Sequence, residues 1–157
     1  MAGIETSICN SFLRELLLGE HNLTSDTIKM ALIKPGMSGD YNDETDNYND
    51  VTGNSDEASG TNYTAGGQEL DSITISSIND TNTNDRAFVD IANEVFSNVT
   101  CSARGCIIYN ASTTPANKAI AVFDFGSTIS ATAGDLTVTM PDPGSDGAGA
   151  IIRIANS

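Results

Sequence analysis

The feature that most constrains the fold is residues 94–110, EVFSNVTCSARGCIIYN. Val95, Phe96, Val99 and Cys101 make one β-type run. Cys106, Ile107, Ile108 and Tyr109 make a second, and Ser102, Ala103, Arg104 and Gly105 stand between them. β-Branched and aromatic residues around a short Gly-containing connection predict a hairpin. The second run is apolar at consecutive positions, so both of its faces need cover. That places it in the middle of a sheet, with elements packed above and below. Residues 119–125, AIAVFDF, are apolar on both faces until Asp124 and predict a second central strand.

The remaining strands follow from alternation. Residues 26–34 predict the first strand, with Ile28, Met30 and Leu32 on one face and Pro35-Gly36 ending it. Residues 70–78 predict another, with Ile73 and Ile75 inward and Ser72, Thr74 and Ser76 outward. Residues 87–92 and 95–101 come next, with a bulge at Asn93-Glu94 where the alternation changes phase. Leu136, Val138 and Met140 alternate with Thr137 and Thr139, and residues 150–154 close the series. Residues 79–85 and 111–117, the latter with Pro115, read as connections. A chain of 157 residues suffices for one domain burying about 70% of its unfolded surface. The expectation is a mainly β single domain over residues 1–157. It is a two-sheet β-sandwich, jelly-roll-like, of about eight strands with one N-terminal α-helix.

That helix is predicted over residues 6–18, with Ile8, Phe12, Leu13, Leu16 and Leu17 on one side and Asn10, Ser11, Arg14 and Glu15 on the other. Thr6 or Ser7 suits its start and Gly19 its stop. Its apolar side lies either on the chain's own sheet or on a neighbouring subunit or larger assembly. Residues 38–60 are different in kind, holding Asp40, Asp43, Glu44, Asp46, Asp50, Asp56 and Glu57 without a base. They read as a long acidic surface loop. Asp40, Asn42, Glu44 and Asp46 place oxygens at alternate positions, as a calcium loop does. The glycine and closing glutamate of an EF-hand are missing, and a partner-docking acidic arm is a further reading.

The chemistry is sparse. The net charge of −14, from 21 acids against 7 bases, opposes phosphate binding, and the bases form no stripe, so no nucleic-acid partner is expected. No apolar run is long enough for a membrane-spanning helix, and the N-terminus lacks the layout of a signal peptide. The acceptor patterns at Asn22, Asn62 and Asn98 are therefore chance matches. The single histidine, His21, has no nucleophile motif beside it and reads as a surface or capping residue. Cys101 and Cys106 flank the predicted turn, as reduced core residues or as a pair across it. A zinc site that adds Cys9 and His21 matches no known spacing. Asp90, Glu94 and Asp124 lie on strands, where an acid–base pair would need them to converge. No catalytic, cofactor or metal site is expected.

The order TNYTAGGQEL, then AFVDIANEVFSNVTCSARGCIIYN, KAIAVFDFGS, TAGDLTVTMP and GAIIRI resembles a family of small virion proteins of tailed bacteriophages, described as capsid decoration or minor structural proteins. The resemblance runs from about Leu23 to the C-terminus. It is most specific at Tyr63-Thr64-Ala65-Gly66-Gly67, Ala103-Arg104-Gly105, Asp124-Phe125-Gly126 and Ala133-Gly134-Asp135. Phe96 stands where many relatives carry Trp. The resemblance implies a non-enzymatic protein, made in the host cytoplasm, that binds the outside of a capsid through the major capsid protein and stabilises it. It implies a homo-oligomer, of which a trimer is the expected form. The alternative is a tail, fibre or head-fibre component for host attachment, with residues 38–60 as the contact.

Overall fold

The structure, a computed structural model, describes residues 2–78, 85–112 and 116–155. In chain order these form β1 (Gly3–Ile4), β2 (Ser7–Ile8), α1 (Asn10–Leu17), β3 (Ile28–Ile33), β4 (Asp40–Tyr41), α2 (Tyr48–Gly53), β5 (Gln68–Glu69), β6 (Ile73–Ile78), β7 (Arg86–Ile91), β8 (Glu94–Asn110), β9 (Lys118–Val138) and β10 (Ile152–Ala155). The fold is mainly β with antiparallel sheets, as the alternation predicts. Two compact units are present, Met1–Glu69 with Val95–Leu136, and Leu70–Glu94 with Thr137–Ser157. The tip of the connection around Pro115 and most of the predicted connection 79–85 lie outside the described residues.

The first unit is built on a five-stranded sheet in the order β2-β9-β8-β3-β5. β3 runs antiparallel to β8 from Ile28↔Asn110 to Ile33↔Gly105. Met30, Ala31, Leu32 and Ile33 are fully buried, as are Cys106 and Ile107, and Ile108 and Tyr109 nearly so. The doubly covered central strand is therefore where the apolar run places it. Ala119 to Val122 on β9 are buried at four successive positions and make the second. Gly67 lies against this core with φ 66°, and a Cβ there would meet the carbonyl oxygen of Met30 at 1.7 Å.

The predicted hairpin at Ser102–Gly105 is not a turn. β8 runs unbroken through it for 17 residues beside a 21-residue β9. The local turn signal loses to tertiary pairing, which engages the stretch along its length. The Arg104 guanidinium grips Asp124 at 2.8 Å, Ser102 Oγ meets Ser130 Oγ at 2.7 Å, and Ala133 N donates to Thr100 Oγ1 at 2.9 Å. Gly105 serves close approach: a Cβ there would lie 2.2 Å from the carbonyl oxygen of Phe123. Gly126 on β9 has φ 75°, in the left-handed region that glycine favours. Within β8 the phase change falls at Asn98 (φ 53°), downstream of the predicted Asn93-Glu94.

The second unit holds a three-stranded antiparallel sheet in the order β10-β7-β6. Ile75 pairs with Val89, which pairs with Ile152, so these three share one face. Phe88 faces the other way, onto Gly147. Val89 and Ile152 are buried, but Ile75 is 54% exposed, against the inward placement expected of it. The reason is position: β6 is the edge of this sheet, with β7 on one side only.

The N-terminal helix is present but shorter, Asn10–Leu17 instead of residues 6–18. Neither Thr6 nor Ser7 caps it. Ser7–Ile8 is drawn into the sheet against Val122 and Ala121, Cys9 takes the N-cap position, and Thr6 Oγ1 instead accepts from Asp124 N. Gly19 does end it: Gly19 N donates to Leu16 O and Glu20 N to Glu15 O, the paired bonds of a Schellman stop. Residues 38–60 are also corrected. They hold a second helix, α2, and bury Tyr41, Tyr48, Val51, Asp56 and Ala58, so they are folded structure and not a solvated loop.

Candidate functional site

Three hydrogen-bonded carboxylates, two buried and one half-buried, explain how so acidic a chain orders itself. Asp56, with its side chain fully buried, accepts from Ser38 N (2.9 Å), Gly39 N (2.7 Å) and Tyr41 OH (2.7 Å) and lies 3.3 Å from Lys34 Nζ. Burial alone would raise its pKa. The Gly39 and Ser38 amides, Tyr41 and Lys34 outweigh burial and hold it at about 2. Glu57 accepts from Tyr48 OH (2.5 Å), Tyr63 OH (2.9 Å) and Gly66 N (2.6 Å). Tyr48 stacks on Tyr109 at 4.4 Å, and Tyr109 OH donates to Gly66 O. Burial pushes the Tyr109 phenol up to about 12 and raises those of Tyr48 and Tyr63 as well, so these hydroxyls act as donors.

The third carboxylate, Glu15, orients α1. It is fully buried, with Oε1 on Lys118 Nζ and Oε2 3.0 Å from His21 Nε2. His21 is thus not a surface or capping residue, because its side chain is fully buried. The proton positions follow from Asp26, a carboxylate that only accepts. Asn110 Nδ2 donates to Asp26 Oδ2 at 2.6 Å and, with its other hydrogen, to His21 Nδ1 at 3.1 Å. Nδ1 is therefore an acceptor, and Nε2 carries the proton donated to Glu15. Phe12 packs edge-on against the His21 ring at 4.9 Å.

This ion pair rotates α1 away from its amphipathic expectation. Glu15, expected on the outer side, points in beside Phe12. Leu13 and Leu17, expected inside, are 46% and 89% exposed, and Leu18 is 65% exposed. Positions i and i+4 lie one above the other on a helix, so Leu13 and Leu17 form a ridge continued by Leu18. Exposed single leucines are ordinary, but Leu13, Leu17 and the C-cap Leu18 together make an exposed apolar patch at the end of α1.

The other sequence candidates are spent on structure. Asn42 Oδ1 accepts from Glu44 N, Asp43 Oδ2 from Asn10 Nδ2, and Asp50 Oδ2 from Asp46 N and Asn47 N. Of the alternate oxygens of residues 40–46, that of Asn42 caps a turn, and the start of α2 is capped by Asn47 and Asp50. Among the described residues no three His, Cys, Asp or Glu side chains gather as a metal site. Asp124 is paired with Arg104, which holds its carboxyl below the usual range. Asp90 and Glu94 belong to the other unit, and Glu94 is buried. An open depression of about 410 Å³ is lined by Lys34, Ser59, Thr100, Ser102, Ser130 and Thr132. Its Ser102, Ser130 and Thr100 hydroxyls are hydrogen-bonded within the fold, and Lys34 Nζ is held by Ser55 O at 2.6 Å.

Cys101 and Cys106 do not pair. Five residues apart on one continuous strand, they point to opposite faces about 17 Å apart. All three thiols are free and buried, and burial pushes Cys9 up to about 12 and raises Cys101 and Cys106. The native protein is expected to leave all three unmodified by a thiol reagent that labels the urea-unfolded chain at once. Rapid labelling of Cys106 in the native state would contradict the burial described. No protein-family model, curated protein or solved structure matches this chain.

Proposed function

We propose that this chain is a non-enzymatic virion structural protein that docks on the outside of an assembled phage capsid and stabilises it. The observation that carries the reading is the exposed Leu13–Leu17–Leu18 ridge on a helix locked from behind by Glu15, Lys118 and His21. The buried carboxylates support it, because their acceptor capacity serves folding. The phage setting rests on the sequence resemblance. A protein that binds the assembled shell, and not free subunits, raises shell stability by mass action. The major capsid protein is the partner in this reading, and the finer fold reading of a jelly-roll-like sandwich belongs to the same proposal.

The test is quantitative mass spectrometry of purified virions. The expected result is a copy number comparable to that of the major capsid protein, and a handful of copies would sink the decoration role. Leu17→Glu is expected to remove the protein from virions while changing its own unfolding free energy by less than about 0.5 kcal/mol, since Leu17 is almost fully exposed. Normal incorporation of that variant would take the ridge out of the contact.

A further inference from the structure

The sheet edges of this chain are treated unequally. In the five-stranded sheet the edges are β2 and β5, of two residues each, too short to template another strand. β10 has four residues and carries the exposed Arg153 within it. β6 has no such protection. It is six residues long, Ile73-Thr74-Ile75-Ser76-Ser77-Ile78, with no charge, no proline, and Thr74 to Ser77 all exposed. In a chain of net charge −14 that is an unusual edge to leave open.

We propose that β6 is a self-recognition edge: two copies of this chain pair β6 against β6, antiparallel about a two-fold axis at Ile75. The side-chain pattern of the edge selects the occupant. β6 offers no charge within it to pair with a charged strand. The fitting strand is uncharged with alternating isoleucine, and β6 is itself that strand. Parity selects the register. Directly opposed residues share a face, so an odd offset would join the apolar face of one sheet to the polar face of the other. With Ile75 against Ile75 of the partner subunit, Thr74 opposes Ser76 of the partner subunit twice, giving two hydroxyl pairs on the outer face. The face carrying Val89, Ile91 and Ile152 then continues across the axis, and each three-stranded sheet becomes half of a six-stranded one, a common size. The result is a two-fold pair, not the trimer expected from the resemblance. It rests on β6 alone and does not depend on capsid binding through α1.

The test is sedimentation of the full chain over a concentration series, with two variants. The parent is expected to show a concentration-dependent dimer. Ile75→Lys is expected to weaken it at least about tenfold, by placing like charges opposite one another, without changing the melting temperature measured at a concentration where the parent is monomeric. Under mild oxidation Ile75→Cys is expected to trap a covalent dimer, because Cβ atoms directly opposed lie within about 4.5–5.5 Å. Thr74→Cys, opposed by Ser76, is not. The buried native thiols make the parent a clean blank. A parent that stays monomeric, a dimer indifferent to Ile75→Lys, or equal trapping by both cysteine variants would overturn the proposal. A dimer broken by Leu17→Glu instead would assign the contact to α1 and overturn it too.

Discussion

Asp56→Ala is expected to lower the unfolding free energy by about 3–5 kcal/mol, read from urea midpoints at constant slope. The carboxylate is fully buried, and its loss leaves the amides of Ser38 and Gly39 and the Tyr41 hydroxyl without their acceptor, while Lys34 Nζ keeps Ser55 O. Each buried donor left without a partner costs about 1–3 kcal/mol. Asp56→Asn is expected to cost less, since one amide oxygen still accepts. The pH dependence has a definite sign. Asp56 titrates at about 2 when folded, below its ordinary value of 3.8. Its stabilisation is therefore complete above about pH 5 and is lost as pH falls toward 2, amounting to about 2 kcal/mol. The parent is expected to lose that increment between about pH 5 and pH 2, and Asp56→Asn to lose correspondingly less. Equal acid sensitivity in both would place the acid-labile group elsewhere.

That carboxylate also marks where the sequence was illegible. Residues 38–60 hold almost no aliphatic residues beyond Val51 and Ala58, and composition alone makes such a stretch a loop. It folds because acids serve as acceptors for backbone N–H groups brought back by the chain reversal. Asn47 and Asp50 form a capping box at the start of α2, and Asp56 gathers Ser38, Gly39 and Tyr41. The N-x-x-D pattern at Asn47 was a readable signal for that helix. The partners of Asp56 and Glu57 were not readable, because they depend on a closure that no local pattern encodes.

The strands divide the same way. Runs apolar at consecutive positions, 106–109 and 119–122, declare double cover, and the structure buries them. The 102–105 stretch contains Gly105 and reads locally as a turn, yet it is strand because β9 reaches across to pair with it. Residues 126–135, with few large apolar side chains, join β9 for the same reason. For the candidate docking surface, the helix was legible and its rotation was not. Hydrophobic periodicity places Leu13 and Leu17 inside, and only the distant Lys118 and the following His21 explain why Glu15 takes that side.

Glu15→Ala is the second substitution with a large expected effect, again about 3–5 kcal/mol, because it leaves the part-buried Lys118 ammonium and the buried His21 Nε2–H without their acceptor. Burial alone would raise the Glu15 carboxyl; hydrogen bonds from Lys118 and His21 outweigh it and hold it below its ordinary value of 4.5. Its clamp is thus intact above that value and weakens as pH falls below it. A stability loss alone would not separate this clamp from any other buried ion pair. The orientation of α1 does. Without Glu15 the helix has no charge to keep inward, and the amphipathic preference of its leucines turns Leu13 and Leu17 toward the sheet. A cysteine introduced by Leu17→Cys is therefore expected to label quickly in the parent and several-fold more slowly in the Glu15→Leu, Lys118→Met background. In that background the removed pair is replaced by apolar volume and stability is largely recovered, short of the about 1–3 kcal/mol for the orphaned His21 N–H. Unchanged labelling there would show that packing, and not the ion pair, fixes the ridge outward.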